Sequence, residues 1–176
     1  MKFTPAGLQG AMVVDLDFYR DARGGFARSF CARIFEENGL SPTIAQCNVS
    51  INHGKGTLRG MHFQVEPATE SKLVRCVRGS IQDVIIDLRA DSPTYMRHFS
   101  VILSQDNRRA LYVPGMFAHG YLTLTDDTEI HYNIGEFYTP GLERGVRYDD
   151  PAFGIEWLTS IRCISEKDLG WPDYGS

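Results

Sequence analysis

Four stretches of this chain carry side chains able to move protons or bind anions. In Leu58-Arg59-Gly60-Met61-His62-Phe63-Gln64, His62 alternates with apolar neighbours as in a strand, with Arg59 just upstream and Lys72 opening the next strand-like run. Imidazole titrates near neutral pH, so His62 is a candidate general base; the plainer reading is a hydrogen-bonded core histidine. Two nearby cations favour neutral imidazole and attract an anionic substrate. In Phe117-Ala118-His119-Gly120-Tyr121, a turn at Val113-Pro114-Gly115 is expected to deliver His119 to the start of a strand. In Glu129–Pro140, Tyr132 and Tyr138 are six residues apart and share one face of an unbroken strand. A phenol, with an ordinary pKa of about 10, suits proton donation to a carbanion or enolate, though two tyrosines packing a sheet explain the spacing equally. In Ile164-Ser165-Glu166-Lys167-Asp168, Ser-x-x-Asp reads as a helix N-cap with an acidic first turn. Arg23-Gly24-Gly25 is a weaker hint of a loop that approaches phosphate.

Two histidines raise the possibility of a metal. A β-barrel site of the two-histidine, one-glutamate kind places its histidines one residue apart with a glutamate a few residues on, and His62, His119 and His131 all lack that pattern. No metal ligands and no cofactor are expected.

The elements that must position these groups are short and alternating. Lys72–Arg89 reads as two strands joined near Gly79, the second carrying Val84-Ile85-Ile86. His98–Leu103, Ala110–Val113, Gly120–Leu124 and Thr128–Ile134 continue the series, with boundaries at Ser92-Pro93, Val113-Pro114 and Thr139-Pro140. Ala32–Asn38 is a short helix candidate ending at Gly39, and further helix is expected only near the C-terminus. This pattern predicts an all-β antiparallel sandwich or barrel, and among these a jelly roll with a few short helices. At 176 residues the chain is the size of one domain, 1–176. A net charge of -4 argues against nucleic acid, so an anionic ligand must be caught by local Arg and Lys side chains. No apolar run suits a membrane span or a signal peptide. Cys31, Cys47, Cys76 and Cys163 form no CxxC pair and are expected to be reduced, half-buried thiols of a cytoplasmic protein.

Taken in order, Asp21-x-Arg23-Gly24, Gln46-x-Asn48, Leu58–Gln64, Lys72–Cys76, Asp91-Ser92-Pro93-Thr94, Phe117–Gly120, Tyr132 with Tyr138-x-Pro140, Asp150-Pro151, Ile155-Glu156-Trp157 and Ser165-x-Lys167-Asp168 resemble the dTDP-4-dehydrorhamnose 3,5-epimerase family. The resemblance runs from about Asp15 to Trp171. It implies a metal-free cupin jelly roll, a homodimer, and inversion at C3, C5 or both of a nucleotide-diphospho-4-keto-6-deoxyhexose.

By the same resemblance His62 is the base, Asp168 its partner, Tyr132 the acid on the opposite side of the sugar, and Lys72 the cation that steadies the enolate oxygen. Arg59 and His119 match residues lining the sugar and diphosphate region. Arg23, Gln46, Asn48 and Tyr138 match positions that hold the nucleotide diphosphate or the sugar. The chain departs from the family pattern at Gly25, Arg28, Cys47, Val49 and Asn133. A metal-dependent cupin dioxygenase or isomerase, and a non-catalytic sugar-nucleotide binding module, are the rival readings.

Overall fold

The alternating and β-branched runs form strands throughout the computed structural model, which describes residues 1–175. In chain order the elements are β1 (Lys2–Pro5), β2 (Met12–Asp15), β3 (Tyr19–Asp21), β4 (Gly24–Phe26), α1 (Ala32–Glu37), β5 (Gln46–Asn52), β6 (Leu58–Gln64), β7 (Lys72–Arg78), β8 (Ser80–Asp87), β9 (His98–Ser104), β10 (Ala110–Val113), β11 (Phe117–Thr123), β12 (Thr128–Ile134), β13 (Glu143–Gly145) and α2 (Glu166–Leu169). One sheet has the order β1-β2-β10-β7-β12-β5, a second β13-β6-β11-β8-β9, and β3–β4 is a separate hairpin. The paired strands run antiparallel. This is the all-β jelly-roll sandwich that the alternation predicts. β7 and β8, adjacent in sequence, belong to different sheets, so the chain crosses the sandwich at Gly79, whose φ is +73°.

Three apolar layers hold the sheets. Between them, Val13, Val74, Leu111 and Ile130 of the larger sheet meet Ile81, Ile85, Leu103 and Phe117 of the smaller. On the outer face of the smaller sheet, Met61, Val84, Ile86 and Ala118 are covered by Val146 and Phe153, with Ile155 and Trp157 beside them. On the outer face of the larger sheet, Phe35 of α1 packs on Val14, Leu73, Ala110 and Tyr112. Burial of both faces explains the consecutive apolar run Val84-Ile85-Ile86, because a strand covered on both sides gains nothing from alternation. No helix among the described residues is long and apolar enough to cross a membrane. The four cysteines are free, but they do not share the half-buried state expected of them. Cys47 and Cys163 are exposed, Cys31 is intermediate, and Cys76 lies in the core, where burial pushes its thiol up to about 12.

Asp91-Ser92-Pro93-Thr94 builds a polar cluster around Asp87. The fully buried Asp87 carboxylate accepts hydrogen bonds from Arg89 Nε (2.9 Å), Arg89 Nη2 (2.7 Å), Ser92 Oγ (2.6 Å) and Thr94 Oγ1 (2.7 Å). Burial alone would raise its pKa, but these donors overcome it and bring the carboxyl down to about 2. Arg89 also donates to the carbonyl of Gln9 and stacks over Phe117, so the cluster ties the N-terminal loop to β8 and β11.

β6 and β11 approach closely at a bulge between His119 and Tyr121. A Cβ on Gly120 would lie 2.8 Å from the Arg59 carbonyl oxygen and 3.0 Å from Gly60 Cα. Gly60 has φ +137°, and a Cβ there would meet Gly120 Cα at 2.5 Å. These contacts are with backbone and cannot relax by a rotamer change.

Gly120→Ala is therefore expected to destabilise the fold by about 1–3 kcal/mol, read as a lower urea midpoint with an unchanged slope. For Asp87 the folded pKa is below the unfolded value of 3.8, so its contribution is present above that value and is lost as pH falls toward 2. Urea midpoints measured down the acid range should show wild type losing on the order of 2 kcal/mol there, a loss absent in Asp87→Asn.

Candidate active site

A cleft of about 520 Å³ is lined by side chains from both sheets and from α2. β5 supplies Gln46, Asn48 and Ser50, alternate residues that share one face of the strand, and Val49 also reaches the cleft. β6 supplies Arg59 and His62, β7 Lys72, β11 His119 and Tyr121, β12 Tyr132, and α2 Lys167 and Asp168.

His62 Nε2 donates to Asp168 Oδ1 at 2.6 Å, leaving the Nδ1 lone pair as the basic position. Asp168 is buried, and its second oxygen accepts from the Gly60 N–H at 3.2 Å. Ser165 does cap α2, its hydroxyl accepting from the Asp168 N–H at 3.1 Å. The cap and the functional reading of this segment are thus one feature, because the cap turns the Asp168 carboxylate onto β6. Burial raises the Asp168 pKa, but the His62 hydrogen bond and charge, the Gly60 N–H and Ser165 together hold it below the ordinary carboxylate value.

Tyr132 enters from the opposite sheet, paired with Asn48 and Val74 in the ladder, whereas His62 pairs with His119 and Gly145. An imidazole and a phenol thus meet across one cleft. Burial holds the Tyr132 phenol well above its ordinary pKa, and the nearby Tyr121 hydroxyl and Asp83 carboxylate add to the effect. His119 sits edge-on to Tyr132, with ring centroids 6.1 Å apart. It is the third residue of β11, near the start of a strand that begins at Phe117. Its Nε2 donates to Asp83 Oδ1 at 2.7 Å, and Asp83 is fully buried in β8.

Lys72 reaches across the sandwich. Its Nζ pairs with Glu70 at 2.8 Å and donates to the His62 carbonyl at 3.3 Å. Arg59 Nε donates to Asn52 Oδ1 at 2.8 Å, and the Tyr121 hydroxyl, 2.8 Å from Ser50 Oγ, shares that acceptor. Gln46 accepts from the Tyr138 N–H, while Gln64 bonds the backbone of Ala68, Phe137 and Thr139, so two glutamines hold the Tyr138 loop at the cleft. Tyr138 does not share a strand with Tyr132, because β12 ends at Ile134, yet its loop brings it to the same cleft.

Arg23 is the one predicted site residue that the structure does not bring here. It lies on the exposed β3–β4 hairpin, its guanidinium paired with Asp21. Reading the sequence missed Glu70, Asp83, Tyr121 and Ser50. Glu70, Tyr121 and Ser50 each carried a local signal, standing two residues from Lys72, His119 and Asn48, since side chains at i and i+2 share a face in extended chain, whereas Asp83 had none. Among the described residues no group of three or more His, Cys, Asp or Glu side chains is placed to hold a metal ion.

The profile of the dTDP-4-dehydrorhamnose 3,5-epimerase family matches residues 5–175. The dTDP-4-dehydrorhamnose 3,5-epimerase of Methanothermobacter thermautotrophicus is 42% identical over 173 residues, which cover 97% of this chain and 92% of that protein. The crystal structure of the Bacillus anthracis dTDP-4-dehydrorhamnose 3,5-epimerase, with TDP and PPi bound, superposes with a TM-score of 0.94 at 37% identity, covering 98% of each chain. ChmJ, a 3'-monoepimerase from Streptomyces bikiniensis solved with dTDP-quinovose, superposes with a TM-score of 0.88 at 32% identity, covering 96% of this chain and 86% of that one. With sequence and overall fold matched over nearly its whole length, this chain belongs to the dTDP-4-dehydrorhamnose 3,5-epimerase family.

Proposed function

We propose that the protein inverts C3, C5 or both of a nucleotide-diphospho-4-keto-6-deoxyhexose, with thymidine as the base, by proton removal and return through an enolate. The observation that carries this reading is the entry of His62 and Tyr132 into one cleft from opposite sheets. Protons on C3 and C5 are acidic because each carbon adjoins the C4 ketone. His62 Nδ1 takes one of them, its electron pair moves toward O4, and the Lys72 ammonium stabilises the oxyanion. Asp168 compensates the imidazolium. Tyr132 then gives its phenolic proton to the opposite face of the same carbon, which completes inversion. With its pKa held high, Tyr132 stays protonated well into the alkaline range. One inversion leaves a proton gained on His62 and one lost from Tyr132, and exchange with solvent resets both. Arg59, His119, Gln46, Asn48 and Tyr138 line the cleft as binding groups for the sugar and its diphosphate. The relatives solved with TDP or dTDP-quinovose support that ligand class.

The protein works as a homodimer in the cytoplasm. Four free thiols suit a reducing compartment. The edge strand β5 exposes Val49 (56%) and Ile51 (63%), and the β3–β4 hairpin exposes Tyr19 (80%) and Phe26 (73%), the apolar surface that a second copy would cover. Arg23 does not line the cleft of its own chain, so its assignment to ligand binding depends on a second copy.

In D2O with a dTDP-4-keto-6-deoxyhexose, deuterium should enter C3, C5 or both. His62→Ala should slow this wash-in by at least about 100-fold, and Tyr132→Phe should depress inversion more than exchange. Wash-in at the wild-type rate in His62→Ala would remove the base assignment. Light scattering at micromolar concentration should give about twice 19.8 kDa for wild type and a shift toward the single-chain mass for the Val49→Lys, Ile51→Lys double variant. A wild-type protein of single-chain mass would end the dimer reading.

A further inference from the structure

We infer that Trp171 is a positioning residue for the His62 base, an inference that rests on the role proposed for His62. The hydrogen bond to Asp168 fixes one ring nitrogen, but a single such contact leaves the imidazole free to rock about the bond axis. His62 is about one-third exposed, so the barrel wall alone does not prevent this. Trp171 supplies the second contact. Its ring packs edge-to-face with the imidazole, centroids 6.1 Å apart and planes at 64°, a geometry that aromatic pairs favour.

The space that Trp171 occupies is made by a missing side chain. Gly145 in β13 stands directly opposite His62 in the ladder. A Cβ at Gly145 would come within 3.0 Å of Cε2, Cδ2 and Nε1 of Trp171, so the indole lies on bare backbone beside the base. Lys167 Nζ lies 5.9 Å from the indole centroid while bonded at 2.6 Å to Glu143 of β13, so a tethered cation braces the ring. The indole N–H is buried and has no hydrogen-bond partner among the described residues. Such a donor is unfavourable, so the ring is held here by its face and edge and not by its N–H. Asp168 and Trp171 stand three residues apart, so one short segment delivers both restraints on His62.

Gly145→Ala displaces the indole without altering any side chain of the cleft, Trp171→Leu removes it, and Trp171→Phe keeps an aromatic face. The measurements are kcat, KM and deuterium wash-in on a dTDP-4-keto-6-deoxyhexose, taken per folded protein as judged by circular dichroism. Gly145→Ala and Trp171→Leu are expected to lower kcat and wash-in by about 10- to 100-fold, with KM moving less than about twofold. Trp171→Phe should recover most of the rate, and adding Gly145→Ala to Trp171→Leu should cost nothing more, because the displaced ring is already gone. If Trp171→Leu does not fold, Gly145→Ala and Trp171→Phe carry the test. A folded Gly145→Ala with wild-type kcat, a loss confined to KM, or a Trp171→Phe as slow as Gly145→Ala would overturn the inference. His62→Ala run alongside separates the two levels. Wild-type wash-in there overturns both the base and its positioning residue, whereas an inactive His62→Ala beside a fully active Gly145→Ala overturns only the role of Trp171.

Discussion

The hydrogen bond between His62 Nε2 and Asp168 Oδ1 joins residues 106 positions apart, and the arrangement of the cleft depends on it. Without Asp168, neither nitrogen of the imidazole is singled out as the basic one. Without His62, a buried carboxylate loses the largest of the interactions that offset its desolvation. The Gly60 N–H and the Ser165 cap extend the bond into both backbones, so the aim of a side chain is fixed by main-chain geometry on either side. The close approach of β6 and β11 at Gly60 and Gly120 belongs to the same constraint, because it sets where the Gly60 N–H points and where Arg59 and His62 leave the strand.

Electrostatics in the cleft are local and run against the sign of the whole molecule. The chain carries -4, yet Arg59, Lys72 and Lys167 gather where an anionic diphosphate sugar would sit. Two of these cations are already tethered, Lys72 to Glu70 and Lys167 to Glu143. A tethered ammonium gives up part of its field in exchange for a fixed position, which suits stabilising a charge that develops at one atom. Arg59 is anchored instead to a neutral amide, Asn52, so its charge at the cleft is not offset by that partner.

Much of this was legible in the sequence because the signals were local. Period-two alternation marked the strands, Gly39 marked the end of a helix and Gly79 the junction of two strands, and His62, Lys72 and Tyr132 stood in segments whose strand character was plain. What was not legible came from pairings between distant segments. Nothing near Asp83 shows that it faces His119, nor anything near Tyr121 that it meets Ser50 and Asn52, since strand order in a jelly roll is not chain order. The expected alignment of Tyr132 with Tyr138 failed at the end of β12, where the chain leaves the sheet and a glutamine on each side returns Tyr138 to the cleft. Arg23 shows the opposite case, a motif residue whose place in its own chain is far more exposed than its motif suggests.

The outer face of the smaller sheet is roofed by the segment from Val146 through Phe153 to Trp157, and the chain then continues into α2. The last thirty or so residues thus serve as roof over one apolar layer and as source of the carboxylate partner of His62. Their apolar contacts are made on the surface that β6, β8 and β11 form together. A nascent or partly opened barrel with its tail undocked would have most of its cleft but no Asp168 at His62. The His62–Asp168 pair is therefore a mark of the completed fold, and undocking the tail would undo it while both sheets stayed paired.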